Sequence, residues 1–209
     1  MDGGERGYVR FRTSSKLAAT KEATQVGPIG QNTGMPRFTH LRHKPPETPA
    51  TERELIVACP PMRSHVNLSH IVRTCGCFGI RRVIACGAAR LHEKIARDGA
   101  ESVVLEIHRS LPPVLDRLRG EGFEIVGLEQ TTHSECLFGF PFQTRTVLVV
   151  GNERTGLDDD VLTRLDRVAE IPMYGLPHSL NAATSASIAI YEFCRWAERP
   201  REPPSKAPA

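Results

Sequence analysis

Three short stretches hold polar residues at spacings that a plain connector does not need. The first is Asn67–Arg73, NLSHIVR. Asn67 is of the type that caps helix N-termini, and Arg73 falls one helical turn after Ser69, off the apolar Leu68/Ile71/Val72/Cys75 stripe. The second is GNERTG at 151–156, whose two glycines have the first spacing of a phosphate-binding loop. Leu157 stands where such a loop needs Lys and Asp158 where it needs Ser or Thr, which argues against nucleoside-triphosphate chemistry. The third runs from Glu170 to Glu192, EIPMYGLPHSLNAATSASIAIYE, and places Gly175, Pro177, His178, Ser179 and Asn181 between a strand end and a helix. Each polar residue has a plain reading when taken alone: Asn67 as a cap, Arg73 as a solvated cation, Glu153 as an acid in a turn.

The elements around these stretches alternate. Apolar runs at 54–59, 81–87, 123–129, 146–151 and 168–172 read as strands, and 67–79, 110–122, 158–166 and 179–197 read as helices. TVLVVG at 146–151 is apolar enough to be buried on both faces. This order predicts an α/β domain with a mostly parallel sheet flanked by helices. Ligands of such sheets bind beyond the carboxyl ends of the strands. Gly151–Gly156 and Met173–Asn181 are glycine- and polar-rich ends of that kind, and Leu128–Thr132 is a third. Their backbone groups suit an adenosine-like ligand, and no Lys/Arg cluster awaits a triphosphate. No G-x-G-x-x-G follows any of the strands, which disfavours a dinucleotide oxidoreductase.

Residues 1–53 carry nine Lys/Arg against five Asp/Glu, a net of +4, so the rest of the +3 chain nets −1. Lacking a sustained apolar period, 1–53 reads as a basic, disordered arm and 198–209 as a disordered Pro-rich tail, with the folded domain at 54–197. The six cysteines sit mostly in apolar runs and read as buried free thiols. Cys75-Gly-Cys77, the one close pair, lacks zinc-site spacing, so no metal is expected. With no membrane span and no signal-peptide core, the expected location is cytoplasmic.

In order and separation, NLSHIVRTCGCFGI, VLVVGNERTGL and IPMYGLPHSLNAATSASIAIYE resemble the three motifs of the SpoU branch of the SPOUT RNA methyltransferases, closest to the tRNA ribose 2′-O-methyltransferases. The resemblance covers about 54–197. It departs from the family pattern at Ser69, usually Gly, and at Ala182-Ala183-Thr184, usually Val-Ser-Val. It implies a SPOUT fold with a C-terminal deep trefoil knot whose loops bind S-adenosyl-L-methionine. Gly151, Ile171 and Leu180 would then contribute backbone contacts, and Leu128, Gly156 and Met173 would complete the pocket. Arg73, Asn67, Glu153, Ser179 and Asn181 would form the transfer site, and a homodimer through the 179–197 helix would complete each site. The implied reaction is methylation of an RNA ribose 2′-hydroxyl, with tRNA favoured over rRNA and a D-loop guanosine as the expected nucleotide. The alternatives are an rRNA 2′-O-methyltransferase and a non-catalytic RNA-binding protein of the same fold.

Overall fold

The computed structural model describes residues 7–9, 40, 44–97 and 99–199. The arm at 1–53 is therefore described only in part, and the tail beyond 199 lies outside the described residues. In chain order the elements are β1 (Gly7–Val9), β2 (Glu54–Cys59), α1 (His65–Cys77), β3 (Arg82–Cys86), α2 (Glu93–Ala96), α3 (Gly99–Ser102) and β4 (Val104–His108). They continue with α4 (Pro112–Gly120), β5 (Glu124–Leu128), β6 (Glu135–Cys136), β7 (Arg145–Val150), α5 (Asp159–Leu162), β8 (Arg167–Glu170) and α6 (Ala182–Ala197).

One sheet holds all the described strands in the order β1-β4-β3-β2-β7-β5-β8-β6. Every neighbouring pair from β4 to β6 is parallel, and β1 alone is antiparallel, on β4. Helices cover both faces, as the apolar runs require. Along β2, Leu55, Val57 and Cys59 join the core under α1 and α6, while Ile56 and Ala58 join the core under α4 and α5. β7 divides in the same way, with Leu148 and Val150 on the first face and Val147 and Val149 on the second. Among the described residues, no helix is long and apolar enough to cross a membrane.

The residues before β2 are tied down. Thr51 Oγ1 donates to the Ala197 carbonyl at 2.6 Å, and Arg53 pairs with Glu198 at 2.8 Å, fastening the entry to β2 against the end of α6.

Several boundaries differ from the sequence reading. α1 starts at His65 with Ser64 as its cap, whose Oγ accepts from Asn67 N at 3.2 Å. Asn67 therefore lies inside the first turn, and its side chain is free for other work. β4 was not anticipated, because VLEIH carries Glu106 at a buried position. That carboxylate is satisfied by Arg82 at 2.5 Å and His108 at 3.2 Å, and the pair with Arg82 holds it below the usual range despite burial that would raise it. Four cysteines are buried as expected, but Cys77 and Cys136 are exposed.

Candidate active site

The cavity of interest opens at the carboxyl ends of β5, β7 and β8. After β7 the chain turns through Gly151–Gly156 and closes on itself. Asn152 and Gly156 form an antiparallel bridge with N···O distances of 2.9 and 3.0 Å. Asn152 Oδ1 accepts from Arg154 N and Thr155 N, and its Nδ2 donates to the Pro61 carbonyl at 2.7 Å. Gly156 has φ +66°, and a Cβ there would lie 2.4 Å from Glu129 Oε2, so both conformation and space require glycine. Glu129, the residue after β5, is itself fixed: its carboxylate accepts from Gln130 N at 3.1 Å and Leu157 N at 3.2 Å.

Glu153 joins this loop to α1. Its Oε2 accepts from Arg63 N at 3.0 Å, and its Oε1 accepts from Ser64 N and from Asn67 Nδ2, each at 3.0 Å. Burial alone would raise this carboxyl, but donated hydrogen bonds from its own backbone, Arg63, Asn67 and Ser64 outweigh it and hold the group below the usual carboxylate range. Asn67 passes the connection on, because its Oδ1 accepts from Asn181 Nδ2 at 3.1 Å. Asn181 in turn caps α6, its Oδ1 accepting from Ala183 N at 2.9 Å and Thr184 N at 3.3 Å. One hydrogen-bonded line thus links the three polar stretches.

The cavity beside this line has a volume of about 260 Å³. Leu128, Gly151, Gly156, Ile171, Met173 and Leu180 all line it, together with Glu129, Glu153 and Ser179. Apolar walls with exposed loop backbone suit an adenine ring. The fixed Glu129 carboxylate suits hydroxyl or ammonium donors, and a ligand bearing a sulfonium meets no basic cluster on this wall other than Arg154 at its rim. The residues therefore fit S-adenosylmethionine. Burial pushes the Cys59 and Cys86 thiols up to about 12, so neither is a thiolate nucleophile at neutral pH. Among the described residues no group of His, Cys, Asp or Glu is placed to hold a metal. A larger cavity, of about 670 Å³, lies between the 49–55 segment, the end of α1 and Phe193; none of the polar site residues lines it.

Four of the five expected transfer-site residues come together here: Asn67, Glu153 and Asn181 in the line and Ser179 on the cavity wall. Arg73 does not join them. It is exposed on α1, outside the cavity lining, and has no hydrogen-bond or ion-pair partner among the described residues. Next to it, Thr74 Oγ1 meets Ser187 Oγ of α6 at 3.0 Å. Ser69 is fully buried; its Oγ donates to the His65 carbonyl at 2.6 Å and accepts from His92 N at 2.8 Å. The substitution at the usual family glycine thus pins the loop after β3 to α1. Glu129 was missed by sequence reasoning; the available signal was an acid directly following a strand end already marked as polar.

The profile described as SpoU rRNA Methylase family matches residues 54–191. A Mus musculus protein, tRNA (guanosine(18)-2'-O)-methyltransferase TARBP1, is 31% identical over 147 residues, 68% of this chain and 9% of that protein. An Aquifex aeolicus tRNA (guanosine(18)-2'-O)-methyltransferase is 31% identical over 155 residues, 72% of either chain. The chain spans only 9% of the mouse protein and 56% of the Escherichia coli relative of the same name. The crystal structure of A. aeolicus TrmH/SpoU tRNA modifying enzyme shares the fold with a TM-score of 0.66 at 31% identity, covering 70% of this chain and 78% of that one. The SpoU methyltransferase AviRb from Streptomyces viridochromogenes, solved in complex with the cofactor AdoMet, gives 0.59 at 28% identity over 69% and 60% of the two chains. The parallel α/β sheet read from the strand pattern is that of the SPOUT structures, and this chain belongs to the SpoU rRNA Methylase family.

Proposed function

We propose that the protein methylates a ribose 2′-hydroxyl of RNA with S-adenosylmethionine, and that tRNA is the preferred substrate. The observation that carries this reading is the Glu153–Asn67–Asn181 line beside the cavity, which presents fixed polar side chains where the cofactor pocket opens. When bound, the cofactor would supply an activated sulfonium methyl, which bonds to the ribose oxygen as its bond to sulfur breaks and S-adenosylhomocysteine leaves. The chain's task is then alignment and charge. Asn67, Asn181 and Ser179 orient the ribose, and Glu153 holds Asn67 in place. A guanidinium stays protonated at neutral pH, so Arg73 is not a base. Its charge stabilises the developing alkoxide, and the hydroxyl proton leaves to water or to the adjacent phosphate.

Arg73 lies outside its own cavity, which favours a homodimer in which each copy lends Arg73 to the other's site. The outward side of α6 supports such an interface: Ile188 is 36% exposed and Tyr191 57%, with the Tyr191 ring edge-on to Phe78. Of the other two aromatics on the helix, Phe193 is buried and Trp196 packs against Phe142 and Phe193, since their spacing puts them on the core stripe. The C-terminal knot belongs to the same reading. β8 inserts between β5 and β6, so the last segments pack into a sheet built by earlier ones.

Preference for a guanosine of tRNA rests on the names of the mouse and Aquifex relatives. An rRNA substrate is the second reading, favoured by a S. viridochromogenes relative named 23S rRNA (uridine(2479)-2'-O)-methyltransferase, 32% identical over 143 residues, 62% of this chain and 48% of that protein. The test is transfer of labelled methyl to bulk tRNA and to rRNA, followed by alkaline hydrolysis. A 2′-O-methyl group removes the nucleophile that cleaves the neighbouring phosphodiester, so label should remain in an alkali-resistant dinucleotide. Label on a base in a fully cleavable backbone refutes the ribose assignment. Resistance confined to rRNA refutes only the tRNA preference.

A further inference from the structure

Apart from Lys44, which pairs with Glu47, and Arg73, Arg81 and Arg199, which make no ion pair, the cations of the described residues fall into two sets. Eight arginines, among them Arg82, Arg145, Arg164 and Arg167, lie within 4.0 Å of a carboxylate. Arg63, Arg90, Lys94, Arg97, Arg109 and Arg154 are exposed and have no carboxylate partner. The second set is not scattered. Each of its members follows the carboxyl end of a parallel strand: Arg63 after β2, Arg90, Lys94 and Arg97 after β3, Arg109 after β4, Arg154 after β7. Those four strands are consecutive in the sheet, so the row crosses three strand spacings, about 14 Å.

Contacts make the row continuous with the site. Glu153 of the cavity holds Arg63 N; His65, two residues on, faces the His92 ring edge-on at 6.5 Å; and Ser69 Oγ accepts from His92 N. His92 lies between Arg90 and Lys94. The loop after β3 is bonded to the end of β4 through Gly87 N and the His108 carbonyl at 2.9 Å, next to Arg109. Against these cations the 87–97 segment offers one acid, Glu93, which makes no ion pair. Unpaired like charges contribute no pairing energy to the fold, and six of the nine cations that make no ion pair among the described residues stand on this edge of the sheet's carboxyl end.

We propose that this row is a track for the sugar–phosphate backbone of the RNA substrate, leading from the cavity outward over β2, β3 and β4. The proposal rests on the RNA reading above and deepens it: with the target ribose at Asn67 and Asn181, the flanking strand runs toward β4. Phosphate contacts of this kind carry affinity and salt dependence rather than sequence choice.

The test is binding of bulk tRNA by the full chain and by the triple variant Arg90→Gln/Lys94→Gln/Arg109→Gln, over a range of salt concentrations. These side chains are exposed and unpaired, so the variant should fold as the native chain does. Three lost phosphate contacts should flatten the slope of log affinity against log salt by roughly 2 to 3. The KM for tRNA should rise about ten-fold or more, while cofactor affinity, read by titration, stays the same. Arg81→Gln, at the amino end of β3, is the control and should leave the slope unchanged. A triple variant with the native slope, in a protein that binds and methylates RNA, overturns the track and leaves the RNA reading standing. An equal loss from Arg81→Gln overturns it as well, since the effect would then be net charge. No RNA binding by the native chain overturns both.

Discussion

Replacing Glu153 separates its part in holding the fold from its part in the site. Its carboxylate takes three hydrogen bonds at 3.0 Å from the start of α1, two on Oε1 and one on Oε2. A hydrogen bond to a charged group contributes about 1.5–3 kcal/mol when buried. Arg63 is exposed, so water replaces part of the loss there, and Glu153→Ala should cost roughly 2–4 kcal/mol. For a chain of this size that lowers the Tm by about 10 °C. Glu153→Gln keeps one oxygen for Ser64 N and Asn67 Nδ2 but turns an N–H toward Arg63 N, so its cost should be about half. The acid dependence gives an independent check. The folded-state pKa is depressed, so this contribution is full above the unfolded value of about 4.3 and disappears as pH falls through the folded pKa. The gap between native chain and Glu153→Gln should therefore be constant from neutral pH to about pH 5 and close at lower pH. Urea unfolding at a series of pH values measures both. An alanine variant within about 0.5 kcal/mol of native at pH 7, or a gap that persists unchanged below the folded pKa, refutes the clamp.

Three further outcomes follow from the site. Arg73→Ala should abolish methyl transfer with cofactor affinity nearly unchanged, and Arg73→Lys should also be poor, because a point charge does not reproduce the planar guanidinium; single-turnover assays beside cofactor titration separate the two effects. Gly156→Ala should destabilise the protein by about 1–3 kcal/mol and weaken cofactor binding, since the new methyl meets the Glu129 carboxylate at a positive φ; adding Glu129→Ala should recover part of the stability, and full additivity in the double variant would refute the contact. Chelation should leave methyl transfer unchanged, and activity lost to a chelator and restored by a divalent ion would contradict a site without a metal.

The strand ends were legible in the sequence because parallel strands buried on both faces leave apolar runs broken by glycine and polar residues. That pattern marked the loops at Leu128–Thr132, Gly151–Gly156 and Met173–Asn181; the choice of Leu128, Gly151, Gly156, Ile171, Met173 and Leu180, which line one cavity, came from the resemblance to the SpoU motifs. Ser64 and Asn67 are both good caps by type, and only the backbone register decides between them. β4 was hidden because Glu106 breaks the apolar pattern, and its partner Arg82 lies on a different strand. Glu129 was hidden because its neighbours Gly156 and Leu157 are far away in sequence. The position of Arg73 outside its own cavity was equally unreadable, since helical spacing fixes which side of a helix a residue is on but not which site that side faces.

The order of strands in the sheet also sets an order in time. β6 has one neighbour, β8, which is made about thirty residues later, and Asn67 meets Asn181 across 114 positions of sequence. During synthesis the amino-terminal strands β2, β3 and β4 have one another as partners as soon as they emerge, whereas the cavity still lacks its last wall. A nascent chain that stalls before α6 has neither the Asn181 end of the line nor the 171–180 face of the pocket. On the proposed reading, the pocket for a methyl donor is therefore complete only with the last part of the domain.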